Sequence, residues 1–347
     1  MSPYWLVFLT GLGVALLVTP AARWLSLRWG VVAVPGGRRK HGQVMPKFGG
    51  LPLALAFVTA AGVAWRLMPP TGQDAVRLQG VLLGGLVMFG GGLLDDRLDF
   101  SPRVNFFIQF LGAAVAMAHI VFIEVFTNPL NGQEMWIRPR VIALAVTLFW
   151  VLGMVNTVNF LDGLDGLAAG VGTIAALLFA WHSYNLGQTT VALFPLALAG
   201  ALLGFLPFNF APARIFLGSA GAYFLGYQLA TLSILAPAKI ATALLVMAVP
   251  ILDVGWQVFN RLRQGRSPFQ GDRGHLHYRL ADAGISTRRI VLSYYAVSFI
   301  LGLVAIWGTG KTKLIMLTLL TLAGLGFFFW LSRSGQTGER AVVLDEE

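Results

Sequence analysis

Residues 140–166 read RVIALAVTLFWVLGMVNTVNFLDGLDG, an apolar run that ends abruptly in amides, carboxylates and glycines. A helix of roughly 20 apolar residues crosses a hydrocarbon core of about 30 Å, and the part from 140 to 157 approaches that length. Ionisable groups are costly near lipid, so a polar cluster at the end of such a run indicates function. This stretch therefore predicts a membrane helix with chemistry at one of its ends.

Comparable apolar runs recur along the chain, which has 347 residues, 56% of them hydrophobic and 12% charged. A soluble domain of this length cannot bury so much apolar surface. We predict an all-α, polytopic integral membrane protein with about eleven transmembrane helices. The predicted spans are 4–22, 49–68, 77–94, 104–126, 140–157, 167–185, 190–207, 220–236, 240–260, 290–308 and 314–332.

We predict a single transmembrane domain over residues 1–333. Residues 334–347 are polar and show no hydrophobic periodicity, so we expect a flexible cytoplasmic tail there. No Lys or Arg precedes the first apolar run, and no small-residue cleavage site follows it, so we expect a retained span rather than a signal peptide. The chain contains no Cys, which excludes disulfides, thiolate catalysis and Cys-ligated metal.

The basic residues, which give a net charge of +10, predict the orientation. They are concentrated in two connections, after the first and the ninth predicted span, so both connections should be cytoplasmic. An odd number of spans then places the N-terminus outside and the C-terminus in the cytoplasm, with 95–103, 158–166 and 208–219 also on the cytoplasmic face. Membrane orientation and contact with anionic lipid headgroups explain the charge without nucleic-acid binding.

Two acidic clusters lie on this predicted face. Asp95 and Asp96 end a glycine-rich apolar helix; they are either a solvated helix end or the adjacent carboxylates that a magnesium site or a proton-accepting dyad needs. The segment 156–166 holds Asn156 and Asn159, three apart on one helix face, and then Asp162 and Asp165. Helix capping accounts for one or two of these four residues, so a functional role is favoured.

Two basic clusters complete the set. His275 and His277 alternate between Arg273 and Arg279 and can bind a diphosphate through charge-assisted donors. Zinc is disfavoured there because no acid or Cys stands at the usual zinc spacing. The run 38–41, Arg-Arg-Lys-His, is by itself an orientation signal and a headgroup contact.

Together these motifs resemble the polyprenyl-phosphate N-acetylhexosamine-1-phosphate transferases, in particular the bacterial branch that uses undecaprenyl phosphate and N-acetylglucosamine. The resemblance runs in order over nearly the whole chain, and 156–166 and 267–277 are its most specific parts. The segments that carry it are 38–50, 95–109, 156–166, 208–213, 250–253 and 261–284.

The resemblance implies transfer of N-acetylglucosamine-1-phosphate from UDP-N-acetylglucosamine to undecaprenyl phosphate, with release of UMP. This is the first membrane step of cell-wall or surface glycans such as lipopolysaccharide or teichoic acid. It further implies a Mg²⁺ cofactor, with Mn²⁺ as an alternative. The active site is expected on the cytoplasmic face of the bacterial inner membrane, and a homodimer is compatible with the family.

The resemblance also assigns roles to single residues. Asp95 or Asp96 would help activate the lipid phosphate, and Asn159 would help hold the metal. Asp162 and Asp165 would line the nucleotide-sugar pocket. The remaining substrate-binding candidates are Asn156, Arg273, His275 and His277, with Arg38 and His41 from the basic loop.

Four positions depart from the family pattern. Ser219 stands where the family has an Asp taken as a magnesium ligand, and a hydroxyl carries no charge to offset a doubly charged cation. Ala33, Asn105 and Tyr278 replace an Asp, a frequent Lys and a third His. The sequence therefore leaves open a catalytically silent relative that binds nucleotide sugar or lipid phosphate. A muramoyl-pentapeptide donor and a transporter are less favoured alternatives, the latter because the polar clusters lie at one face rather than at mid-membrane.

Overall fold

The structure is a computed structural model that describes residues 2–34, 44–235, 239–267 and 274–344, with the backbone alone described at 239, 328 and 330–344. The chain is 77% helical, with thirteen helices and little sheet in the described residues. The predicted class, an all-α polytopic membrane protein, is confirmed. Arg38, His41 and Arg273 lie outside the described residues.

Most of the helices follow the predicted apolar runs. They are α1 Pro3–Arg28, α2 Gly50–Leu67, α3 Gly72–Leu98, α4 Pro102–Ala118, α5 Arg140–Leu161, α6 Leu167–Asn185, α7 Thr189–Asn209, α8 Gly218–Ile234, α9 Lys239–Val246, α10 Ala248–Arg263, α11 Leu276–Asp282, α12 Thr287–Trp307 and α13 Gly310–Leu344. Two short antiparallel pairs join β1 Val32–Ala33 to β2 Met45–Pro46 and β3 Val125–Thr127 to β4 Glu134–Trp136.

Eight helices in the described residues are long and apolar enough to cross a membrane, and α9 with α10, bent by 76°, gives a ninth if the pair is one span. α4 and α8 have 17 residues each and are about 26 Å long. The predicted eleven is reached only when these two are also counted. The count and the orientation stay predictions.

One predicted span, 104–126, is wrong in its last third. Helix α4 ends at Ala118, and 125–136 form the β3–β4 hairpin instead of continuing to residue 126. The connection closes where the Asn128 N–H donates to the Gln133 carbonyl at 2.8 Å, and Gly132 has a φ of +74°. The Asn131-Gly132 pair and the β-branched and aromatic residues before it favour a hairpin, a signal that total hydropathy hides.

The C-terminal segment also differs from expectation. The backbone of α13 is helical to Leu344, through most of the predicted tail at 334–347. No proline interrupts this stretch, and Glu339 to Leu344 are compatible with a helix. The absence of a regular hydrophobic pattern therefore did not exclude a helix. The flexibility of the tail and the domain boundary at 333 stay predictions.

The centre of the bundle is formed by α6 and α7. In an apolar 18-residue stretch of each helix, 78% of the residues of α6 and 72% of those of α7 are buried, against 28% in α1. Helix α1 packs closely on α7 because small residues remove the side chains between them, as is usual for helices in lipid. A Cβ on Gly200 would meet the Phe8 carbonyl of α1, and one on Gly204 would meet the Leu12 carbonyl. These contacts leave no room for a side chain.

We expect Gly200→Ala to lower the free energy of unfolding by about 1–3 kcal/mol, because the new methyl group must push α1 away from α7. The matched control is Gly62→Ala in α2, where a Cβ has nothing within 4 Å. The control should be neutral or stabilise the helix by roughly 0.5–1 kcal/mol. Thermal unfolding in detergent measures both variants, and equal midpoints would contradict the packing described.

Candidate active site

A cavity of about 1230 Å³ opens where α3 and α5 end and where α8 begins. Carboxylates, amides and cationic side chains share its wall with the aromatic rings of Trp29, Phe160 and Phe216. Candidates from three separate sequence clusters thus meet in one place. The candidates that line it are Asp95, Asp96, Asn159, Asp162, Asp165, Ser219 and His275, together with Tyr278 and the cations Lys47 and Arg97.

Asp96 joins α3 to the first turn of α8. Its Oδ1 accepts a hydrogen bond from the Ser219 N–H and its Oδ2 one from the Ala220 N–H, both at 3.0 Å. A carboxylate at a helix N-terminus satisfies orphan N–H groups and interacts favourably with the helix dipole. Gly218 makes this approach possible, with a φ of +73° and no Cβ to collide with the Asp96 Oδ2 at 2.7 Å. Both oxygens of Asp96 therefore serve the structure, while Ser219 is held at the cavity wall.

Asp95 is held differently. Its Oδ1 accepts from the Phe100 N–H and from the Asn105 amide, both at 3.0 Å. Asn105, at the position of the family's frequent Lys, thus gives Asp95 a neutral donor in place of a cation. The Tyr223 hydroxyl also lies within hydrogen-bonding reach of Asp95. Asp95 is a carboxylate fixed at the cavity wall through at least one oxygen.

Asn156 does not line the cavity but connects to it through other side chains. Its amide donates to the Gln109 Oε1 at 2.8 Å, and Gln109 in turn lies within reach of the Tyr223 hydroxyl. Asp95 is therefore linked to Asn156 through Tyr223 and Gln109. Tyr223 could not be predicted from the sequence, because a single Tyr within an apolar helix gives no signal of its own.

The segment after α5 brings its acidic residues to the cavity by a tight turn. Gly166, with a φ of +81°, immediately precedes α6, and its carbonyl accepts a hydrogen bond from the Tyr295 hydroxyl. The Asp165 Oδ2 accepts from the Ala213 N–H at 2.9 Å, which ties this turn to the connection between α7 and α8. Asn159 and Asp162 line the cavity beside it.

The histidine cluster is positioned by a residue that the sequence did not single out for a role. The His275 Nδ1 lies 2.9 Å from the Asp253 Oδ2, and the Asp253 Oδ1 accepts from the Leu276 N–H, also at 2.9 Å. The ring of His277 stacks at 5.8 Å on that of His275. Tyr278, at the position of the third family His, lines the cavity with His275.

No group of three His, Asp or Glu in the described part of the chain is arranged to hold a metal ion. Mg²⁺ does not need one, because it is commonly bound by one or two carboxylates together with substrate phosphates and water. The donors on the cavity wall are mainly oxygens, from the aspartates, Asn159 and Ser219. This donor type fits a hard cation, although position 219 contributes no charge.

Comparisons with known proteins show the family to which the chain is similar. The model of the family described as "Glycosyl transferase family 4" matches residues 78–237. A probable undecaprenyl-phosphate N-acetylglucosaminyl 1-phosphate transferase of Bacillus subtilis is 31% identical over 86% of this chain and 83% of its own length. The chain belongs to the family of polyprenyl-phosphate N-acetylglucosamine-1-phosphate transferases.

Two further relatives come from other organisms. A decaprenyl-phosphate N-acetylglucosaminephosphotransferase of Mycobacterium tuberculosis is 35% identical over 95% of this chain and 89% of its own. An undecaprenyl-phosphate alpha-N-acetylglucosaminyl 1-phosphate transferase of Escherichia coli is 28% identical over 90% of this chain and 87% of its own length. The family resemblance stated from the motifs is confirmed. The family match contains Asp95 through Ser219, whereas Asp253 and His275 lie beyond it.

Proposed function

We propose that this chain transfers N-acetylglucosamine-1-phosphate from UDP-N-acetylglucosamine to a polyprenyl phosphate, undecaprenyl phosphate in the first instance, and releases UMP. The observation that carries the proposal is the single cavity in which Asp95, Asn159, Asp165 and His275 meet at the ends of membrane helices. Relatives named for this transfer align with 86–95% of the chain.

The reaction is a displacement at phosphorus. An oxygen of the polyprenyl phosphate attacks the β-phosphorus of the nucleotide sugar and forms a new P–O bond. The bond from the β-phosphorus to the bridging oxygen breaks, and UMP leaves with its electron pair. Binding both substrates in one cavity makes this step effectively intramolecular.

The residues of the cavity wall suit the parts of this displacement. Asp95 is placed to accept the proton of a monoprotonated lipid phosphate, while Lys47 and Arg97 can offset the negative charge of the phosphates. Asp162 and Asp165 provide acceptors for the nucleotide sugar. Asp96 acts through its hold on α8 rather than on the substrate.

We propose Mg²⁺ as the cofactor, with Mn²⁺ as an alternative, held by Asn159 and by the substrate phosphates near Ser219. When bound, the cation offsets the charge that develops on the UMP leaving group. The proposed location is the bacterial inner membrane, with the cavity on the cytoplasmic face, in agreement with the basic connections. A homodimer is compatible with the proposal and is not required by it.

A second candidate is a silent relative that binds the nucleotide sugar without turnover. The observation that favours it is Ser219, a neutral residue at the wall of a site where the described residues offer no three-carboxylate group. Binding of UDP-N-acetylglucosamine without UMP release is the result that would establish it.

The experiment is UMP release from UDP-N-acetylglucosamine with undecaprenyl phosphate and Mg²⁺ in detergent, with the lipid product identified by mass spectrometry. We expect both products in equal amounts. Chelation by EDTA should reduce the rate to background, and added Mg²⁺ should restore it, because the phosphates then regain their counter-charge. If the Escherichia coli relative releases UMP alongside and this chain does not, the transferase proposal fails for this sequence. Sugar uptake into proteoliposomes without a lipid product would instead support a transporter.

A further inference from the structure

In the Asp253–His275 pair, His275 lines the cavity, and both side chains are almost fully enclosed. The side chains of His275 and Asp253 are 3% and 5% exposed. The ring of His275 stacks on Phe160 at 4.9 Å and on His277 at 5.8 Å, with interplanar angles of 28° and 12°. Stacking fixes the plane of the ring, and Asp253 fixes its rotation within that plane.

This arrangement decides which ring nitrogen carries the proton in neutral His275. A carboxylate only accepts hydrogen bonds, so the nitrogen 2.9 Å from the Asp253 Oδ2 is the donor. Nδ1 therefore bears the hydrogen, and Nε2 keeps a lone pair and is an acceptor. The second oxygen of Asp253 is occupied by the Leu276 N–H, which holds the carboxylate itself in place.

The other ring nitrogen of His275, Nε2, stands apart from this network of contacts in the described part of the chain. Nε2 is buried and has no hydrogen-bond partner among the described residues, although His275 lines the cavity. A buried acceptor without a partner is costly, and a ligand that supplies a donor removes that cost. Phosphate oxygens are acceptors and cannot pair with it, whereas the hydroxyl and amide N–H groups of an N-acetylated sugar can.

We propose that Asp253 is a positioning residue that holds His275 as an Nδ1–H tautomer, so that Nε2 accepts a hydrogen bond from the sugar of the nucleotide sugar rather than contacting its diphosphate. The assignment rests on the proposed function for the identity of the ligand. It gives the site a means of distinguishing UDP-N-acetylglucosamine from UDP.

The test variant is Asp253→Asn, which keeps the shape of the side chain but has one acceptor oxygen. If that oxygen accepts from the Leu276 N–H, the amide NH₂ faces Nδ1 and the ring must protonate on Nε2 instead. NMR of the ¹⁵N-histidine-labelled chain reads this directly, since the sequence has five His and His275→Asn identifies the signal. We expect Nδ1–H in the wild-type chain and Nε2–H in the variant. Protonation of both nitrogens in the wild type, or the same tautomer in both proteins, would overturn the proposal.

The binding arm compares the dissociation constants of UDP and UDP-N-acetylglucosamine, whose ratio cancels any charge effect common to both nucleotides. Asp253→Asn should weaken UDP-N-acetylglucosamine about tenfold relative to UDP, the loss of about one hydrogen bond. Asp74→Asn, at the far end of α3, is the charge-matched control and should leave the ratio unchanged.

A double-mutant cycle separates this role from a general structural one. In a His275→Asn background, the Asp253→Asn change should have no further effect on the ratio, because Asp253 acts through His275. If His275→Asn weakens the binding of UDP and of UDP-N-acetylglucosamine equally, His275 contacts the diphosphate. That result overturns the proposed sugar contact but leaves the proposed function standing. No nucleotide binding by the folded wild-type chain overturns the proposed function together with it.

Discussion

Ser219→Asp is expected to raise the rate of UMP release by roughly 10–100-fold, the range by which changes around a metal site alter activity. Ser219 is at the cavity wall in the first turn of α8, where its N–H is fixed by Asp96. A carboxylate there is favoured by the helix N-terminus and supplies the charge that a hard cation requires. The gain should appear in the same assay, with Mg²⁺ in excess.

Ser219→Asn is the matched control, because it has the size of Asp without its charge. A second measurement does not depend on turnover. Mg²⁺ should raise the thermal midpoint of the Asp variant more than that of the wild-type chain or the Asn variant, since a ligand that binds only the folded state stabilises it. If the Asp and Asn variants behave alike, position 219 is not a metal position in this chain.

Asp95→Asn is expected to lower the rate of UMP release by about 10²–10⁴-fold, the usual contribution of a residue that accepts a proton in the reaction. The amide oxygen of Asn can still accept from the Phe100 N–H and from Asn105, so the fold around α3 should remain. Because the effect is on the chemical step, kcat should fall while the KM of the nucleotide sugar changes little. The variant is measured in both the wild-type and the Ser219→Asp backgrounds.

Asp99→Asn controls for the loss of a carboxylate at the same cavity. Asp99 lines the cavity and is exposed, with a φ of 51° that Asn tolerates equally well. Its activity should stay near that of the parent chain. If Asp95→Asn retains full activity while Asp99→Asn does not, the proton acceptor has been assigned to the wrong residue.

Most of the membrane helices could be predicted from the length and hydropathy of the apolar runs alone. Hydropathy predicted α5 and its polar end, because lipid permits few other structures for such a run. It failed after Ala118, where residues equally suited to a strand continued the apolar composition. It also gave no sign of the 76° bend between α9 and α10, which depends on packing against neighbouring helices rather than on composition.

The site was predictable in its residue types but not in its connections. The predicted spans and the basic connections placed Asp95, Asn159 and His275 on one membrane face, and the structure brings them to one cavity. The separation of Asp95 from Asp96 into two environments could not be predicted, because it depends on tertiary contacts: Asp96 accepts from the start of α8, whereas Asp95 accepts from Phe100 and Asn105. Likewise, the role of Asp253 depends on a contact with a residue 22 positions away.

The bond between Asp96 and the start of α8 joins residues 123 positions apart. At a synthesis rate of about 5–20 residues per second, the start of α8 is therefore made roughly 6–25 s after Asp96. Throughout that interval the Asp96 carboxylate has neither of its two backbone donors, and this wall of the cavity does not yet exist. Assembly of the candidate active site is thus a late event in biogenesis, and a chain truncated before residue 218 can insert its first helices but cannot form the site.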